Sequence, residues 1–185
     1  MKYLIFTFLI GIVSCGESPD TDVFIEREKK IDNVVINGKI KNGAGLEISL
    51  EAPLLQSRGT KVQVVKGIID KNDSFTLNTQ LPGLGYYILK LNSKDADSLE
   101  LTLNNGDQLS LNTSVADFTT KPNYSGVSWA EDANTYQQIL NAPLSKENLS
   151  SYASKRMKEN PINPFNIIHS MYLMNDENDY NESRI

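Results

Sequence analysis

The feature that most limits what this chain can fold into is an alternation of apolar and polar residues that starts at Val34 and holds for about 80 residues. Successive side chains of a strand point to opposite faces, so a period of two means strands with one face buried. Val34, Ile36 and Ile40 alternate with Val35, Asn37 and Lys39, and Gly38 stands where a strand bulges or meets a close neighbour. Asn42-Gly43-Ala44-Gly45 turns the chain, after which Ile48 and Leu50 oppose Glu47, Ser49 and Glu51, as in the partner strand of an antiparallel hairpin. Pro53 ends that strand, and Val62 and Val64 resume a pattern that slips through Val65 and Gly67 into Ile68-Ile69, as at a bulge.

Asp70-Lys71-Asn72-Asp73-Ser74 forms the next turn, Phe75 and Leu77 open a returning strand, and Leu81-Pro82-Gly83 breaks it. Two further alternating runs follow, Tyr87-Leu89-Leu91 and Leu99-Leu101-Leu103. Asn105-Gly106 tolerates the positive φ of a tight hairpin, which Leu109 and Leu111 complete. About seven strands at regular spacing predict a mainly β fold over residues 33–128, an antiparallel β-sandwich or open barrel.

Residues 129–185 change to a helical period. Tyr136, Ile139 and Leu140 share a side of a segment that Pro143 ends, and Ser145 opens a second segment that Asn160-Pro161 stops. A third starts at Pro164, with Phe165, Ile168 and Tyr172 at helical spacing, and the residues after Met174 are polar enough to fray.

The amino terminus carries a different kind of information. Lys2 precedes an apolar run from Tyr3 to Val13, closed by Ser14 and Cys15, which is the layout of a secretory signal. The run makes a helix of about 18 Å, too short for a bilayer core of about 30 Å. Val13-Ser14-Cys15 resembles the bacterial lipobox, in which a peptidase cuts before the cysteine once its thiol carries a diacylglycerol. Residues 1–14 thus read as a lipoprotein signal peptide, Cys15 as the lipidation site, and residues 15–32, polar and charged, as a lipidated tether. The expected location is the cell envelope, lipid-anchored to the outer membrane on its periplasmic or surface face.

Removing residues 1–14 takes away one charge, Lys2, so the formal net charge moves from -5 to -6. A mildly acidic chain without a basic stripe argues against nucleic acid as a partner. Cys15 is the sole thiol, so lipidation leaves none for a disulfide, a metal cluster or redox chemistry. No metal and no cofactor are expected. Asp70, Asn72 and Ser74 sit at calcium-loop spacing, but Phe75 stands where the loop needs glycine and Leu81 where it needs a carboxylate. Gly43-Ala44-Gly45 lacks the following helix of a phosphate cradle, and His169, the sole imidazole, lies on an apolar helix beside Ile168 and Met171 without the partners of a triad. No residue is put forward as catalytic. Tyr86, Tyr124 and Trp129 are the candidate ligand surface, because aromatics pair contact area with a polar handle.

The order Ile36-Asn37-Gly38-Lys39-Ile40, Ile69 to Phe75, Leu81-Pro82-Gly83, Leu103 to Asp107 and Tyr124-Ser125-Gly126 resembles one family. It is similar to the β-rich domain of unknown function that precedes thioredoxin-like (thiol-disulfide oxidoreductase) modules in Bacteroidetes-type envelope lipoproteins. Asp73 stands where that family often has glycine, and no Cys-x-x-Cys follows, so no dithiol chemistry carries over. The resemblance implies a non-catalytic envelope lipoprotein whose β-domain is a binding, spacer or interaction module with a protein or glycan partner. Two alternatives stand beside it: the N-terminal part of a truncated thiol-disulfide oxidoreductase, and a glycan-capture lipoprotein.

Overall fold

In the computed structural model the alternating runs are strands: β1 Val34–Lys41, β2 Glu47–Pro53, β3 Lys61–Ile68, β4 Ser74–Thr79, β5 Gly85–Leu91, β6 Ser98–Leu103, β7 Gln108–Ser114 and β8 Asn123–Ser125. Helices α1 Ala130–Leu140, α2 Ser145–Glu159 and α3 Asn166–Glu182 follow. The structure describes residues 32–53, 61–94, 97–142 and 145–182. The expected signal peptide, Cys15 and nearly all of the expected tether lie outside the described residues, as does the 54–60 connection.

Two open four-stranded sheets, β4-β1-β7-β8 and β3-β2-β5-β6, form the mainly β fold. Their inner faces carry the alternating residues in register. Leu77, Ile36 and Leu109 form one cross-strand row, and Val65, Leu50, Leu89 and Leu99 form one in the other sheet. Ile36, Leu50, Leu89 and Leu109 are completely buried and belong to a single apolar cluster. A fully buried side chain of this size contributes about 1.5–3 kcal/mol relative to an exposed one, so these rows hold the sheets together.

Three details of the strands are legible in residue chemistry. At Gly38 a Cβ would lie 1.8 Å from the Leu111 carbonyl oxygen, so glycine is what lets β7 come this close to β1. The slip in the β3 pattern is a bulge: Leu50 pairs with Val65 but Glu51 with Gln63, leaving Val64 extra. Asp73 adopts φ 63°, the left-handed conformation usually given to glycine. Its carboxylate offsets the cost by accepting from the Gly43 and Ala44 backbone N–H groups at 3.0 and 3.1 Å, tying two turns together.

The partners of several strands differ from the sequence expectation. The Asn42–Gly45, Asp70–Ser74 and Asn105-Gly106 turns do not close hairpins; each carries the chain from one sheet to the other. A tight turn reverses the chain equally well beside itself or across a sandwich about 10 Å thick, and only distant strands decide which. β1 and β7 pair in parallel, whereas the other five pairs are antiparallel. Asn105 serves the crossing directly: its amide donates to the Leu81 carbonyl and accepts from the Leu81 N–H, both at 2.7 Å.

The helices share the core of the sheets. α1 packs on β8, α3 on β5 and β6, and α2 on α1 and α3. Asn134 clamps α1 to β8, accepting from the Tyr124 N–H and donating to the Tyr124 carbonyl, both at 2.9 Å. Asp132, 3% exposed, accepts from Tyr152 Oη at 3.1 Å and Arg156 Nε at 2.6 Å and also from the Asn163 amide, which binds α1 to α2 and to the turn before α3. Among the described residues no helix is long and apolar enough to cross a membrane.

Candidate functional site

β6 and β8 are end strands of their sheets, and the helices pack against them. A cavity of about 290 Å³ opens at this junction, lined by Glu100 from β6, Tyr124 from β8, Tyr136 and Gln137 from α1, and Phe165 and Ile168 at the start of α3. A second concavity of about 460 Å³ shares Gln137 and continues past Asn123, Asn134, Gln138 and Asn141. Both volumes are of the order of small-ligand sites, which run from about 300 to 1,000 Å³.

Two of the five buried side-chain polar atoms that lack a partner among the described residues belong to the lining of the first cavity. Tyr124 is 3% exposed, and neither its hydroxyl nor the buried Gln137 Oε1 has a hydrogen-bond partner among the described residues. Folded proteins pair nearly all such groups, because an unpaired one costs about 1–3 kcal/mol. Tyr86 Oη donates to Glu100 Oε1 at 2.8 Å. Burial, followed by the Glu100 charge, raises the phenols of Tyr86, Tyr124 and Tyr136, the last to about 12. All three therefore stay protonated at neutral pH; the Tyr86 O–H is committed to Glu100.

An aromatic stack backs the cavity. Trp129 lies 5.9 Å from Tyr124, tilted by 54°, and 5.7 Å from Phe165, nearly parallel at 18°; Tyr136 meets Phe165 edge-on at 5.6 Å. Of the three residues proposed from sequence as a ligand surface, the structure places Tyr124 in the lining and Tyr86 beside Glu100. Trp129 is 1% exposed and sits behind the lining, so as a surface residue it is corrected: its indole is core. Glu100, Tyr136 and Gln137 complete the site. Glu100 was one exposed carboxylate among many, and Tyr136 and Gln137 read as ordinary helix positions, so no sequence signal separated them.

The other candidates resolve into structure. The Asp70 carboxylate accepts from the Asn72 and Ser74 N–H groups at 2.7 and 2.9 Å and shapes a turn. The Gly43 and Ala44 amides take the Asp73 carboxylate in place of a phosphate. His169 is completely buried, with Tyr136, Tyr152 and Phe165 around its ring at 6.0, 5.7 and 5.0 Å. Among the described residues, no group of His, Cys, Asp and Glu is arranged to hold a metal ion.

No family model and no curated protein match the chain. Among solved structures, the chain is similar to a 9R-lipoxygenase from Cyanothece PCC8801, with 11% identity and a TM-score of 0.29. The overlap covers 74% of this chain and 25% of that one, so this chain spans about a quarter of the lipoxygenase. A likeness this slight passes no chemistry across, and the lipoprotein-domain resemblance rests on its sequence motifs.

Proposed function

We propose that this chain is a membrane-anchored envelope lipoprotein whose β-sandwich is a non-catalytic binding module, with its ligand site in the cavity between β6, β8, α1 and α3. One observation carries the binding reading: Tyr124 and Gln137, both lining that cavity, each hold a buried polar atom with no protein partner. A ligand that enters the cavity, displaces the lining enough to reach these buried atoms and hydrogen-bonds them recovers a cost that the fold alone leaves standing. The anchor comes from the Val13-Ser14-Cys15 ending of the apolar run. Two acyl chains, at about 0.8 kcal/mol per buried methylene, are enough to hold a protein on a bilayer.

Trp129, the sole tryptophan, stacks behind the lining and reports on the cavity. A small-molecule library is titrated into the full-length protein in detergent micelles, following Trp129 emission. Ligands are expected that shift emission in the wild type but not in Leu140→Arg, which blocks the cavity from an exposed position. A library that shifts both proteins alike, or neither, overturns the binding site. Palmitate-analogue labelling of wild type and Cys15→Ala tests the anchor; equal label in both removes it.

A further inference from the structure

We propose that the cavity and the adjoining groove bind a neutral oligosaccharide, one ring in the cavity and the chain continuing past Gln137 along the groove. The assignment rests on the binding reading above and narrows it to a ligand class. Four observations support it.

The unpaired atoms come first. A phenol both donates and accepts, and an amide oxygen only accepts, so Tyr124 and Gln137 together call for neighbouring groups that can do either. Sugar hydroxyls do both. An apolar ligand leaves the two atoms unpaired and gains little.

Charge is the second. Glu100 supplies the carboxylate of the cavity lining and accepts from Tyr86 Oη at 2.8 Å. A carboxylate accepts from hydroxyls and repels anionic ligands. Phosphorylated and uronic-acid ligands are thereby disfavoured.

Third, the lining pairs these polar groups with the rings of Tyr124, Tyr136 and Phe165. A pyranose has apolar C–H faces as well as a polar rim, and aromatic lining accommodates the former. Fourth, the two concavities share Gln137, and the outer one is lined by uncharged amides, with Asn123 and Gln138 exposed. Lys121 is its only charged lining residue. A shared wall and an uncharged continuation fit a chain of similar neutral units.

The test uses full-length protein in detergent micelles of a non-glycosidic detergent. Neutral gluco-, manno- and galacto-oligosaccharides of two to four units are compared with the matching uronic acids and with glycine-serine peptides. Binding is read by Trp129 emission and by calorimetry. At least one neutral series is expected to bind, tighter for the longer members. Tyr124→Phe, which keeps the ring, is expected to weaken that binding about tenfold, whereas Lys66→Ala, on the far sheet edge, leaves it unchanged. Uronic acids or peptides binding with the same Tyr124 dependence, and no neutral sugar doing so, overturn the sugar assignment and leave the cavity as a site. Sugar binding that Tyr124→Phe does not weaken also overturns the assignment. No response to any probe, together with a silent library screen, overturns both.

Discussion

The space between the two sheets and the junction with the helices bury similar kinds of area on opposite terms. Between the sheets the two central rows, through Ile36 and through Leu50 and Leu89, are aliphatic and bring no side-chain polar atom into the core. At the junction lie Asp132 and His169, together with the buried atoms that lack partners among the described residues: Thr102 Oγ1, Tyr124 Oη, Trp129 Nε1, Gln137 Oε1 and His169 Nε2. A fold selected for stability alone does not collect such groups in one place. The sheets supply the stability, and the junction spends some of it on positioned polar groups.

Substitutions that keep to one region test that division. Leu89→Ala empties a completely buried position in the inter-sheet rows and is expected to lower the unfolding free energy by about 4 kcal/mol in urea, with m unchanged. A loss below about 1 kcal/mol means that the rows are not where the stability lies. Asp132→Ala removes the carboxylate that joins three elements. It is expected to cost about 3 kcal/mol and to loosen the helices before the sheets, seen as amide exchange that quickens in α1 to α3 first. Asp132→Asn retains shape and some hydrogen bonding and costs less.

His169 sharpens the comparison through pH. Burial holds its pKa below the ordinary 6.5, with Asp132 pulling it up and Arg156 pushing it down. The unfolded chain therefore takes up the proton first. Its contribution to stability is complete above pH 6.5 and is lost as pH falls through the lower folded pKa. The stability of the wild type, read from melting curves, should weaken as pH falls below about 6.5, and His169→Phe should flatten that slope. An identical slope in both assigns it to other groups. The smallest effect is the most telling: Tyr124→Phe deletes a hydroxyl without a protein partner and should leave stability unchanged or raise it by up to about 1 kcal/mol. A loss above that, in the absence of ligand, means the hydroxyl is satisfied within the fold.

Much of the sandwich was legible in its alternation, because the side-chain period of a strand is a local property. Gly38 as a close approach and Asp73 in a left-handed turn were legible for the same reason. Asp73 is a matter of one residue's own backbone, and Gly38 of a strand residue without a side chain; that β7 is the strand that comes close to Gly38 was not legible. The site was legible only in part. Tyr86 and Tyr124 were picked out as aromatics with polar handles; Tyr86 hydrogen-bonds Glu100, and Tyr124 lines the cavity that Glu100 also lines. Trp129 has the same chemistry and is core, since nothing local distinguishes an indole behind a cavity wall from one on its surface.

The sequence by itself determined which residues face inward, where the chain turns, where strands yield to helices, and that its single thiol ends an apolar run. Only the tertiary structure decided that three of those turns cross between sheets, that β1 and β7 run parallel, and that Glu100, Tyr124, Tyr136 and Gln137 share one cavity. The reason is range. Period, turn chemistry and backbone strain act over a few residues. The choice of partner strand, and of which polar groups are left unpaired, is a competition among residues tens of positions apart that only the assembled core resolves.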